Sequence, residues 1–84
     1  MQKGNFSPEQ ERELKRLQNS IRDSIFLYQL KTHTRQYEIA QSSGVSFASI
    51  YNVMSKSPSK IETLVKILTS IGLRLVIEPI DDNV

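Results

Sequence analysis

The stretch Gln36-Tyr37-Glu38-Ile39-Ala40-Gln41-Ser42-Ser43-Gly44-Val45-Ser46-Phe47-Ala48-Ser49-Ile50-Tyr51-Asn52-Val53-Met54 decides the fold. Gln36, Ala40, Gly44 and Ile50 are separated in it by three, three and five residues. Each position has a steric task. Ala40 suits the point where two helices cross closely, because a longer side chain would hold them apart. Gly44 supplies the positive φ of a tight turn between them. Ile39, Val45, Ile50 and Val53 then fill the space beneath, and Ser46 caps a helix from Phe47 to about Ser55. A helical hairpin inside an ordinary small bundle is the plainer reading of the same punctuation.

Working outward, Ser7, Pro8 and Gln10 form an N-cap, a first-turn proline and a capping-box partner. Leu14, Leu17, Ile21, Ile25 and Tyr28 follow at helical spacing, so one long helix is expected to run to about Leu30. Lys31 to Thr34 breaks the periodicity, and Thr34 is the expected cap of a second helix through about Ser42. Tyr28 and Tyr37 read as core or core-edge aromatics. Downstream of the quoted stretch, Lys56 to Ser59 is a loop. Ser59 and Glu62 then read as a capping box for a fourth helix, whose stripe is Ile61, Leu64, Val65, Leu68 and Ile71 and which ends at Gly72.

After Gly72 the pattern turns β-rich through Leu73, Arg74, Leu75, Val76, Ile77 and Glu78, and Pro79 closes it. Nothing else in the chain offers a second strand. A lone strand leaves its backbone donors and acceptors unpaired. Its expected partner is therefore a copy of itself or a strand of another protein, the plainer alternative being an extended apolar tail packed on its own domain. The expected layout is a flexible tail over 1–6, one mainly α domain over 7–79 with this C-terminal strand, and an acidic tail over 80–84.

Length and charge narrow the function classes. Eighty-four residues, 38% hydrophobic and 24% charged, make one small globular domain rather than a multidomain enzyme. Residues 31–60 carry four Lys or Arg against one Glu, whereas residues 61–84 carry two against four acidic groups. A basic middle points to a polyanion, a solvated face being the bland alternative. No cysteine is present, so disulfides and thiolate metal sites are excluded. The absence of any eighteen-residue apolar run, together with the polar stretch Met1 to Ser20, leads us to expect no membrane partner and a cytoplasmic location. His33 stands alone in a polar linker, and the carboxylates of Glu9, Glu11, Glu13 and Asp23 fall on a charged helix. Neither set makes a nucleophile–base pair or a metal site, so the reading is of no enzyme, no cofactor and no metal.

The stretch Gln36 to Met54 resembles the helix-turn-helix of the XRE (Cro and phage repressor) family. Residues 59–79, with Thr63-Leu64-Val65-Lys66-Ile67-Leu68 and Ile71-Gly72-Leu73-Arg74-Leu75, resemble the end of HipB-like and HigA-like antitoxins of bacterial toxin-antitoxin modules. The resemblance implies a compact four- or five-helix repressor-like domain with the C-terminal strand paired across a dimer. The long polar half-helix Glu9 to Ser20 departs from that pattern.

Carried over residue by residue, the resemblance puts the third helix in the major groove of double-stranded DNA carrying an inverted-repeat operator. Ser46, Phe47, Ala48 and Asn52 are the candidate base contacts. Asn52 leads, because its amide matches adenine N6 and N7 together, while Phe47 is read either as core or as a base contact. Arg35, Gln36, Ser49, Tyr51, Lys56 and Lys60 are the candidate phosphate contacts. Leu73, Leu75, Val76 and Ile77 form the dimer strand. The function so implied is a dimeric antitoxin that represses its own operon and neutralises a toxin, a HipA-like kinase ahead of a RelE-like ribonuclease. Candidate toxin surfaces are the outer face of the first helix, with Arg12, Arg16 and Asp23, and the acidic tail from Glu78 to Val84. The alternatives are a phage-type or regulatory repressor without a toxin, and a protein-interaction module that does not bind DNA.

Overall fold

The computed structural model describes residues 5–80. The tail read over 1–6 and the acidic tail over 80–84 lie largely outside them. Four helices follow one another: α1 (Pro8–Thr32), α2 (Gln36–Ser43), α3 (Phe47–Met54) and α4 (Ile61–Ser70). The chain is mainly α, and no strand occurs among the described residues.

Each helix gives one isoleucine to the centre. Ile25, Ile39, Ile50 and Ile67 are its largest fully buried side chains, and Ile21, Ala40, Val53 and Leu68 complete the core. Among the described residues no polar or charged side chain is buried with them. Ala40 is nearly inaccessible, as a close crossing of α2 requires. Tyr28, Val45, Met54, Leu64, Ile71 and Leu75 pack around the edge.

The helix ends follow local hydrogen bonding. Ser7 caps α1 as the sequence predicts: its hydroxyl accepts from the Gln10 N–H at 3.1 Å, and Gln10 Oε1 accepts from the Ser7 N–H at 2.9 Å. α1 runs two residues beyond Leu30 and ends with His33 in the left-handed region, φ 56. The Thr34 cap is displaced by one residue. Thr34 shares its hydroxyl with Thr32, so Arg35 becomes the N-cap residue and its own N–H donates to Glu38 Oε1 at 2.7 Å. Gly44, at φ 77, ends α2, its N–H bonded to the Ala40 carbonyl.

The Ser59–Glu62 box does not form. Ser59 Oγ donates to the Ser57 carbonyl at 3.3 Å, the helix starts one residue later, and Lys60 is the N-cap without a side-chain bond. The α4 stripe is also rotated from the expected one. Leu64, Ile67, Leu68 and Ile71 face the core, whereas Ile61 and Val65 are exposed.

α1 contains 25 residues, about 37 Å at 1.5 Å per residue, against a longest molecular extent of 38 Å. Its first half therefore runs past the core. No described residue before Ile21 is buried, and Leu14 and Leu17 of the predicted stripe keep 38% and 36% of their surface. They line an apolar groove of about 400 Å³ with Phe6, Val53, Leu64 and Leu75. Tyr37, expected at the core edge, is exposed. From Leu73 to Pro79 the chain forms no regular secondary structure, so the expected C-terminal strand is not seen.

Ile25→Ala should destabilise the domain by about 2–5 kcal/mol, since a fully buried side chain leaves a cavity among rigid helices. Leu30→Ala, on the exposed face of the same helix, should stay within about 0.5 kcal/mol. Urea denaturation of both variants checks the difference.

Candidate nucleic-acid interface

α3 is held from behind and open in front. Ile50 and Val53 are buried, while Phe47, Ala48, Tyr51 and Asn52 are exposed. Phe47 retains 53% of its surface, so it lies on the outer face and not in the core. Ser46 fixes the start of the helix: its Oγ accepts from the Ser49 N–H at 3.1 Å and lies 3.0 Å from Ser49 Oγ. With Gly44 in the left-handed region, α2 and α3 are joined by only Gly44, Val45 and Ser46.

The end of α3 is as closely fixed. Ser57 N–H bonds to the Asn52 carbonyl at 2.8 Å and Lys56 N–H to the Val53 carbonyl at 3.1 Å, the paired pattern of a Schellman turn with Lys56 left-handed at φ 62. The Lys56 carbonyl accepts from Gln18 Nε2 at 3.2 Å, and its ammonium donates to Asn19 Oδ1 at 3.0 Å. Lys56 thus pins the end of α3 to α1. Only one of the three donors of its ammonium is engaged in this way, and the side chain stays exposed.

Three other predicted residues are brought together. Ser49, Asn52 and Lys60 line a recess of about 260 Å³ between α3 and the start of α4, along with Ser59 and Thr63. Because Lys60 supplies no capping side chain, the first-turn N–H groups of α4 stay uncapped there. The sequence reading missed Thr63 and this open helix end, since the expected Ser59 cap would have closed it. Arg35 and Tyr51 are exposed, and Gln36 is half-buried at the start of α2. Nothing sets them in the same recess.

The predicted toxin-facing charges are partly committed within α1. Arg16 Nη2 lies 2.9 Å from Glu13 Oε1, and Arg22 Nη2 lies 3.7 Å from Asp23 Oδ1. Such exposed pairs contribute roughly 0–1 kcal/mol. Among the described residues no group of His, Asp and Glu is placed to hold a metal ion, and no helix is long and apolar enough to cross a membrane. Compared with protein-family models, with curated proteins and with solved structures, the chain matches none.

Ser46→Ala removes a formed cap and should cost about 1 kcal/mol. Ser59→Ala removes none and should cost less than about 0.5 kcal/mol. Thermal unfolding of the two variants distinguishes the cap that forms from the one that does not.

Proposed function

We propose that the protein is a dimeric DNA-binding antitoxin that reads an inverted repeat through α3, represses its own operon and neutralises a cognate toxin. One observation carries the DNA half. Eight residues of helix are locked at both ends and buried along one side, and they present Phe47, Ala48, Tyr51 and Asn52 together on the other. An amide on such a face has the donor and acceptor for bidentate contact with adenine. The recess beside it supplies hydroxyls, an ammonium and uncapped N–H groups, the chemistry that holds a phosphate. In this reading Lys60 takes the phosphate role, and Lys56 positions α3.

The dimer half is supported by the β-rich sequence Leu73 to Glu78, which has no regular secondary structure alone and to which another copy would supply a second strand. The toxin half rests on the likeness of residues 59–79 to antitoxins and on the uncovered apolar surface of α1, where Phe26, Leu27 and Leu30 are all exposed. A HipA-like kinase is the favoured toxin class, with a RelE-like ribonuclease second. A plain repressor is the second reading. It is favoured by the groove at Leu14 and Leu17 lying beside Leu75, where a second copy can cover apolar surface without any toxin.

Footprinting should reveal two symmetric half-sites with centres about 34 Å apart. Asn52→Ala should cost roughly 1–3 kcal/mol and relax preference at one base pair per half-site. Lys60→Ala should weaken all sequences alike and flatten the salt dependence. An Asn52→Ala protein with wild-type affinity and sequence preference overturns the reading-helix assignment. For the toxin half, the product of the adjacent gene should co-purify with the protein. If it does not, the plain repressor is the better account.

A further inference from the structure

The segment after α4 carries a run of backbone amides with defined ends. The Leu73 N–H is committed to the Leu68 carbonyl at 2.8 Å, and Pro79 has no N–H. Between them, Arg74, Leu75, Val76, Ile77 and Glu78 make no backbone hydrogen bond to any described residue. The midpoint of this run is Val76. Resting on the dimeric reading above, we propose that two copies pair antiparallel about a two-fold axis at Val76, and that each copy inserts Ile77 into the apolar groove of the other.

Charge selects the register. Arg74 and Glu78 are the only charged residues of the run, and an axis at Val76 sets each Arg74 opposite the partner's Glu78. Opposite charges at facing positions stabilise a ladder, and like charges there destabilise it. Moving the axis two residues in either direction sets Arg74 against its own copy or Glu78 against its own copy. The axis at Val76 is the one that places both charges well.

Side-chain alternation selects the occupant of the groove. Leu75 is half-buried and lines the groove with Phe6, Leu14, Leu17 and Leu64. Ile77 lies two residues on, hence on the same face of the strand that the ladder would form, yet no described residue covers it and it is fully exposed. Residues facing each other across an antiparallel ladder share a face. In this register Leu75 faces the partner's Ile77, so that side chain points where Leu75 points. A groove of about 400 Å³ has room for it. A five-residue ladder is small beside the roughly 1,200–2,000 Å² of a stable interface, and the mutual insertion adds the apolar area that the ladder lacks.

Sedimentation equilibrium of the full chain tests this, with far-UV circular dichroism confirming that each variant is folded. Arg74→Glu and Glu78→Arg should each raise the dimer dissociation constant about tenfold, because each creates two symmetry-related like-charge pairs. The double variant Arg74→Glu/Glu78→Arg should return to within about threefold of wild type. Ile77→Asp should weaken the dimer more than a hundredfold, whereas Val76→Thr, on the opposite face, should stay within about threefold. A dimeric wild type in which the double variant is no better than the singles, or in which Ile77→Asp is silent, overturns the register and the insertion while leaving the dimer standing. A wild type that is monomeric at about 50 µM overturns the dimeric reading, and the inference falls with it.

Discussion

The contact of four isoleucines, one from each helix, is the interaction on which the domain depends. Ile25, Ile39, Ile50 and Ile67 are fully buried in a chain that has no cysteine and, among the described residues, no buried ion pair. Burying an isoleucine stabilises by roughly 1.5–3 kcal/mol, and net folding stabilities are themselves only about 5–15 kcal/mol. Losing one helix from this centre removes a large part of the margin. β-branched side chains suit the position because few rotamers are open to them, so little side-chain freedom is lost when they are fixed. The orientation of α3 follows from this contact: with Ile50 and Val53 held inward, the helix has no freedom to turn Asn52 elsewhere.

Much of this was legible in the sequence, since helix ends and buried stripes are written in local residue types. The Ser7 capping box, the Gly44 turn, the Ser46 cap and the inward set Ile39, Ala40, Ile50 and Val53 all stand as the spacing predicts. What the sequence misplaced is equally instructive. At Thr34 and Ser59 a residue of capping type sits one position before the true cap, because its hydroxyl has a nearer partner in Thr32 or in the Ser57 carbonyl. A spacing rule cannot see such competition between acceptors.

The stripe of α1 is helical as the spacing predicts, but it is covered along only part of its length. Leu14 and Leu17 have the right periodicity, but α1 outruns the three short helices that would cover it, and periodicity records a face without recording what lies against it. The Lys56 tether was invisible for the same reason. Its partners Gln18 and Asn19 are almost forty positions away in sequence, and nothing local distinguishes an ammonium that will meet a phosphate from one that will meet an amide. The open recess at the start of α4 went unseen because it depends on a cap that does not form.

The two central helices have eight residues each, below the roughly 12–15 at which an isolated helix begins to hold in water. Neither α2 nor α3 has an existence apart from the assembled core. The face that carries Asn52 is consequently not a preformed peptide displayed on a scaffold. It appears and disappears with the tertiary structure as one cooperative event. A partly unfolded chain retains no weakened version of it, so its presence is all or none, set by the folding equilibrium of the whole domain.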